Sequence, residues 1–288
     1  MPTIAHQSFA CVLAIEPESE RIIHVSENAA EILGVSTADL LARDGSDHLD
    51  RLFWHALRNG AARPEFRSGV TLSNAGALGE RFDLRAFPSG SQQVVEATLR
   101  RTSEFGSTPL PDVLQSVMTQ LLPSRDETEL ARDVVKLMRH ILAADRVCFW
   151  RIGDQTEAIL IAETKRRAVP SASGQTIGAV PHWPSSAPPV EIIADVSAPA
   201  ILLVSEDGAP APDLSLALAR PPAPNRLEQL RGDGMVAAFR LFLTRAGQPW
   251  AFVDAEFLTP RRPSAQALSF VACLAPFLDA KAQSLPHR

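Results

Sequence analysis

The sequence predicts an α+β protein of two domains. Its 288 residues exceed the usual size of a single domain. Two strand-like runs are followed by short helices and then by three more strand-like runs, an order that suits an antiparallel sheet better than repeated βαβ units. A polar break at Glu104-Phe105-Gly106-Ser107-Thr108-Pro109 precedes a second set of helices and strands. These observations place a first domain at 7–103, a linker at 104–111 and a second domain at 112–283.

In the first domain, Phe9 to Ile15 is apolar and stops at Glu16-Pro17, a turn signal, so it reads as a strand. Arg21 to Val25 is a second strand. Asn28 and Gly34 bracket Ala29-Ala30-Glu31-Ile32-Leu33, the start and stop signals of a short helix. Ser36 with Asp39 three residues on approximates a capping box for another. Asp47 to Asn59 gives a third helix, with Leu49, Leu52, Phe53, Ala56 and Leu57 on one face. Strands are expected at Phe66–Leu72, Glu80–Phe87 and Gln93–Arg100, the last two joined by Pro88-Ser89-Gly90-Ser91.

The second domain opens with a helix from Val113. A capping box at Ser124-Arg125-Asp126-Glu127 then starts another, carrying Leu130, Val134, Leu137, Met138 and Ile141 at helical spacing. Arg146–Ile152 and Ala158–Glu163 read as strands across a turn at Gly153-Asp154. Much of the proline lies between 170 and 224, and proline lacks the ladder donor, so no central strand is expected there. A short helix at Arg226–Arg231 and a hairpin of Val236–Leu243 with Trp250–Phe257 follow. The last element is a helix over about 264–283, with Leu268, Val271, Ala272, Ala275 and Leu278 inward.

Composition excludes several roles. Hydrophobic residues make up 45% and charged ones 21%, ordinary for a globular chain. The net charge of −5 is dispersed and offers no basic face to nucleic acid or anionic lipid. The cluster Lys165-Arg166-Arg167 is too short for a nucleic-acid patch and reads as a solvated strand end. No apolar run approaches the ~18 residues of a membrane span, and the start lacks a signal peptide's basic and apolar regions; a cytoplasmic location is expected. Cys11, Cys148 and Cys273 fit no zinc or redox spacing and read as buried thiols. No catalytic or metal motif is found, so neither an enzyme nor a metal site is expected. His140 and Asp145 lie close in sequence, which alone is no catalytic constellation.

The run His6-Gln7-Ser8-Phe9-Ala10-Cys11-Val12-Leu13-Ala14-Ile15-Glu16 and the segment Ser26 to Val35 resemble the PAS domain of bacterial phytochromes. Asp145-Arg146-Val147, Trp150-Arg151, Ala162-Glu163, Leu227 to Arg231, Gly234 and Pro249-Trp250-Ala251 through Arg261 resemble the GAF domain of the same photosensory core. The order and spacing of these segments, from about Gln7 to the last helix, carry the likeness. It implies a PAS domain at 7–103 and a GAF domain at 112–283, with a pocket loop at 170–224 and no PHY domain or kinase following.

The resemblance also implies a linear-tetrapyrrole pocket, and the residues depart from it. The family's attachment cysteine lies upstream of the first PAS strand, where this chain has none; Cys11 falls inside the strand. With so short an arm, neither a thioether nor the family's figure-of-eight knot is expected. In the stretch Pro181-His182-Trp183-Pro184-Ser185-Ser186-Ala187-Pro188-Pro189, Ala187 stands at the family's aspartate. Trp183 and His182 could stack on a flat ligand, and His182 could be an axial haem ligand, but docking of one aromatic on the core is the plainer expectation. Glu191 stands where an arginine clamps a propionate, and exchanging attraction for repulsion costs about 1 kcal/mol or more. Arg220 corresponds to the second propionate arginine. Arg226 replaces a pocket histidine and could partly substitute for the lost arginine; the later histidine becomes Glu256 or Phe257.

The expectation is therefore a sensory or regulatory protein in signal transduction without covalent bilin or other cofactor, working through protein contacts or an unidentified ligand. Biliverdin held non-covalently is the alternative, and an enzyme of unknown type the remote one. Partners expected from the resemblance are a second copy, parallel or antiparallel through the GAF helices, and a signalling protein.

Overall fold

The computed structural model describes residues 4–43, 45–49, 53–54, 71–72, 82–153, 157–178, 189–245 and 248–285. The chain divides into two compact units, Met1–Arg101 with Ala198–Pro221, and Thr102–Ser197 with Pro222–Arg288. Both are antiparallel sheets with helices, so the α+β expectation holds.

The first unit begins with β1 (Ala5–Gln7), β2 (Cys11–Glu16) and β3 (Arg21–Ser26), then α1 (Ala29–Leu33) and α2 (Thr37–Leu41). Gly34 ends α1 at φ +75°, a left-handed cap that glycine adopts without strain. Ser36 caps α2 by accepting from the Asp39 amide, as its spacing predicts. A 3-10 turn (Gly45–His48), β4 (Thr71–Leu72), β5 (Phe82–Ser89) and β6 (Gln92–Leu99) follow. Most of the expected Asp47–Asn59 helix and Phe66–Leu72 strand lie outside the described residues. The β5–β6 turn is shorter than expected: Ser89 pairs with Gln92, leaving Gly90-Ser91 as a two-residue loop with Gly90 at φ +60°. Alternation along the strands splits their side chains between two faces. One face buries Leu13, Ile15, Ile22, Val25, Phe82, Leu84 and Val95 against Ile32, Leu33, Leu40 and Phe53. Each such side chain gains about 1.5–3 kcal/mol from leaving water. The other face presents Val12, Ala14, Phe87 and Val94.

The second unit opens with α3 (Leu110–Leu121) and α4 (Glu127–Leu142). The cap of α4 differs from the expected Ser124 box. Asp126 is the cap, accepting from the Glu129 amide at 2.9 Å, while the Glu129 carboxylate accepts from the Arg125 amide at 2.7 Å. Asp126 and Glu129 repeat the same three-residue spacing two positions later, and Ser124 instead donates to Asp133. The helix leads to β7 (Arg146–Ile152), β8 (Ala158–Lys165), β9 (Thr176–Ile177) and β10 (Val190–Ile193).

The chain then returns to the first unit as β11 (Ala200–Ser205). This corrects two expectations. A contiguous second domain over 112–283 was expected, but 198–221 belongs to the first unit, and β11 is a central strand between β1 and β3. Six proline-free residues, with Pro199 before and Pro210 after, suffice for it. Residues 5–7 pair with β11, while the Gln7 amide and side chain donate to the carbonyls of Ala219 and Arg220, so the returning segment holds the short arm from two sides. The first sheet runs β1-β11-β3-β2-β6-β5-β4.

The second unit closes with α5 (Pro224–Gly232), β12 (Ala237–Arg245), β13 (Gln248–Phe257) and α6 (Ala265–Gln283), which Ser264 caps and which starts where expected. Its sheet runs β10-β12-β13-β7-β8-β9, with α4 against β7 and β8 and α6 against β12.

Candidate functional site

In the second unit, charged residues interrupt three apolar strands at alternate positions and thus share one face of the sheet. Arg240 stands opposite Asp254 across β12 and β13, and Glu256 opposite Arg146 across β13 and β7. Helix α5 brings Arg226 to them, and Asp233, at its end, reaches Arg146. All of Arg146, Arg226, Arg240, Asp254 and Glu256 are buried.

The six groups alternate in sign along one chain. Asp233 pairs with Arg146, and Arg146 with Glu256. Glu256 meets Arg226 Nη2 at 3.3 Å, and the same nitrogen lies 3.1 Å from Asp254. Arg240 then grips both oxygens of Asp254, Nε at 2.6 Å and Nη2 at 2.9 Å. Two parallel charge-assisted bonds of this kind are strong and fix geometry. The Arg240 guanidinium also sits 4.2 Å from the centre of the Phe252 ring. Arg226 is steadied within its helix by the Gln229 side chain at 2.9 Å.

Burial opposes charge on every member, and the neighbouring opposite charges decide the outcome. Desolvation pushes Arg240 and Arg146 down, but Asp254 and Glu256 respectively outweigh it and hold both guanidinium groups above their ordinary values. Burial likewise pushes the Asp254 carboxyl up, yet Arg226 and Arg240 hold it below the usual range. Beside the chain lies an apolar patch of Cys148, Trp150, Phe242 and Phe252, with the Trp150 and Phe252 rings stacked. Burial, with Glu256 nearby, raises the Cys148 thiol far above its ordinary value, so it is inert at neutral pH. Cys11, fully buried in β2, is pushed up to about 12; Cys273 is exposed, contrary to expectation.

Of the positions singled out in the sequence, Arg226 and Glu256 are ion-pair partners in this chain. Glu191 is half-buried on β10, opposite Arg240, where its charge adds to that of Asp254. Arg220 belongs to the first unit, its guanidinium donating to the Ala217 carbonyl at 2.7 Å. His182, Trp183 and Ala187 lie outside the described residues. Sequence reasoning did not single out Arg240, Asp254 and Asp233, or Arg146 as a site residue. The signal was present: charges within otherwise apolar strand stretches, two acidic on β13, each opposite a basic one on a strand that flanks it.

Among the described residues there is no group of three or more potential metal ligands, and no helix is long and apolar enough to cross a membrane.

Comparison with known proteins agrees with this architecture. Residues 3–97 match the family model described as a PAS fold. The chromophore-binding domain of an unusual bacteriophytochrome, RpBphP3 from R. palustris, is 21% identical with a TM-score of 0.83; the match covers 98% of this chain and 95% of that one. The chromophore-binding domain of Stigmatella aurantiaca phytochrome P1 is 19% identical with a TM-score of 0.82, covering 100% and 98%. A longer RpBphP3 structure gives 21% and 0.86, covering 99% of this chain and 60% of that one. At such identity the likeness is one of fold, and it matches the PAS–GAF resemblance read from the sequence. No curated protein sequence matches the chain.

Proposed function

We propose that this chain is a phytochrome-like sensory or regulatory module whose second unit holds no bilin, because buried ion pairs take up the groups a bilin would need. The observation that carries this reading is the alternating chain from Asp233 to Arg240. A bilin brings two propionates, and each needs a cation. Arg146, Arg226 and Arg240 are each committed to buried carboxylates, and with Glu191 the cluster has four carboxylates for three guanidinium groups. A propionate entering here would have to displace a carboxylate whose loss leaves that carboxylate buried and unpaired, a cost of several kcal/mol. The residues present do not fit the group.

Output through protein contacts follows from this reading, with a homodimer through α3 and α6 as the arrangement suggested by the fold, and no catalysis. The likeness to photoreceptor domains supports the sensory class. Non-covalent biliverdin is the second reading, favoured by one observation. Among the described residues, Arg226 Nε and Trp150 Nε1 are buried donors without a hydrogen-bond partner, and a ligand acceptor could satisfy them.

Titrating biliverdin into the purified protein separates the two. The first reading predicts an absorption spectrum equal to the sum of the separate components. A saturable one-to-one change in the biliverdin band would overturn it.

A further inference from the structure

Beyond the backbone pairing of β11 with β1 and β3, residues 198–221 are fastened to the first sheet by side chains. Glu96 on β6 accepts from the amides of Leu218 (3.0 Å) and Ala219 (2.7 Å), and Arg85 bridges Glu96 to the Leu216 carbonyl. Ser89 Oγ accepts from the Asp213 amide at 2.6 Å. At the segment's centre the Pro210 carbonyl takes two donors, Gln92 Nε2 at 2.6 Å and His24 Nε2 at 2.8 Å. The other nitrogen of His24, Nδ1, lies 2.7 Å from Ser205 Oγ at the end of β11. One imidazole thus joins β3 to two points of the segment.

These contacts set the proton on the ring. A carbonyl can only accept, so Nε2 carries the hydrogen, and neutral Nδ1 accepts from the Ser205 hydroxyl. A second proton would go on Nδ1, force the Ser205 hydroxyl to turn, and create a cation on a side chain that is 1% exposed. Among the described residues, none forms an ion pair with His24. On β3, Arg21 pairs with Glu206 of the segment at the exposed rim. Glu16 on β2 bonds Ser19, Asp213 of the segment bonds Ser215, and Glu96 on β6 is held by Arg85 and the two amides. Burial lowers the His24 pKa, with the Pro210 bond acting against it.

We propose that residues 198–221 form a proton-released strap, held on the first sheet by neutral His24 and freed when His24 is protonated. Its release uncovers Val12, Ala14, Phe87 and Val94, the sheet face that Leu214 and Ala217 cover.

Hydrogen exchange of the full chain reads the strap through the amides of Leu203, Glu206, Leu218 and Ala219. After correction for intrinsic chemistry, their opening is expected to rise as the pH falls, by up to about tenfold between pH 7.5 and 5.5. His24→Gln keeps an N–H for Pro210 but cannot titrate, and the rise is expected to vanish. Equal protection at pH 7.5 and 5.5 in the unaltered protein would overturn the proposal, as would an unchanged rise in His24→Gln. Should that variant fail to fold, the ring resonances of His24 in the unaltered protein decide. A midpoint that coincides with strap opening supports the proposal, and a midpoint elsewhere contradicts it.

Discussion

Arg226 places one nitrogen, Nη2, 3.1 Å from Asp254 and 3.3 Å from Glu256, joining two ion pairs into a single buried chain. Without Arg226, Asp254–Arg240 and Glu256–Arg146–Asp233 would be separate clusters on opposite sides of β13. A buried ion pair adds little to stability over a well-packed apolar pair, yet removing one member is costly because the other remains charged and dry.

Asp254→Ala tests that asymmetry. It leaves Arg240 without its bidentate partner and Arg226 with Glu256 alone, and a loss of about 3–5 kcal/mol is expected from urea denaturation. A loss below about 1 kcal/mol would mean that the arginines reach water or other partners when Asp254 is removed.

Ala143 ends α4 in the left-handed region, at φ +50° and ψ +40°, where its amide reaches back to the carbonyls of Arg139 and His140. An L-residue with a Cβ is strained there by about 1–2 kcal/mol, and glycine is not. Ala143→Gly is expected to stabilise the protein by about 0.5–1 kcal/mol, seen as a higher denaturation midpoint at unchanged slope.

The pH dependence follows from the two buried histidines of the first unit. Burial lowers the pKa of both His6 and His24, with the Gln7 and Pro210 carbonyls acting against it. The unfolded chain then binds more protons than the folded one below about pH 6.5, so stability is full above that value and falls as the pH drops toward the folded-state pKa. Asp254, held below its ordinary value, adds no loss until the pH falls through the carboxylate range. Denaturation at pH 7.5 and 5.5 checks the sign: the protein is expected to be less stable at 5.5, and His24→Gln to reduce the difference.

The elements legible in the sequence were those whose signals are local. Caps at Ser36 and Gly34, and the alternating strands of the hairpins, needed no distant partner to be recognised. β11 was not legible, because its place between β1 and β3 depends on chain nearly 200 residues away, and the prolines around it masked a short clean strand. At the site, Arg226 and Glu256 were found through resemblance, as replacements of pocket histidines. That they bond each other, and that Arg240 and Asp254 extend the chain, depends on strand register, which a sequence pattern does not fix.

The most direct measurement is an absorption spectrum of the protein purified after co-production with a haem oxygenase that supplies biliverdin. With its arginines bound to its own carboxylates, the protein is expected to be colourless above the aromatic absorption. A far-red band that survives gel filtration would contradict the account and show that the ion chain opens to admit a bilin.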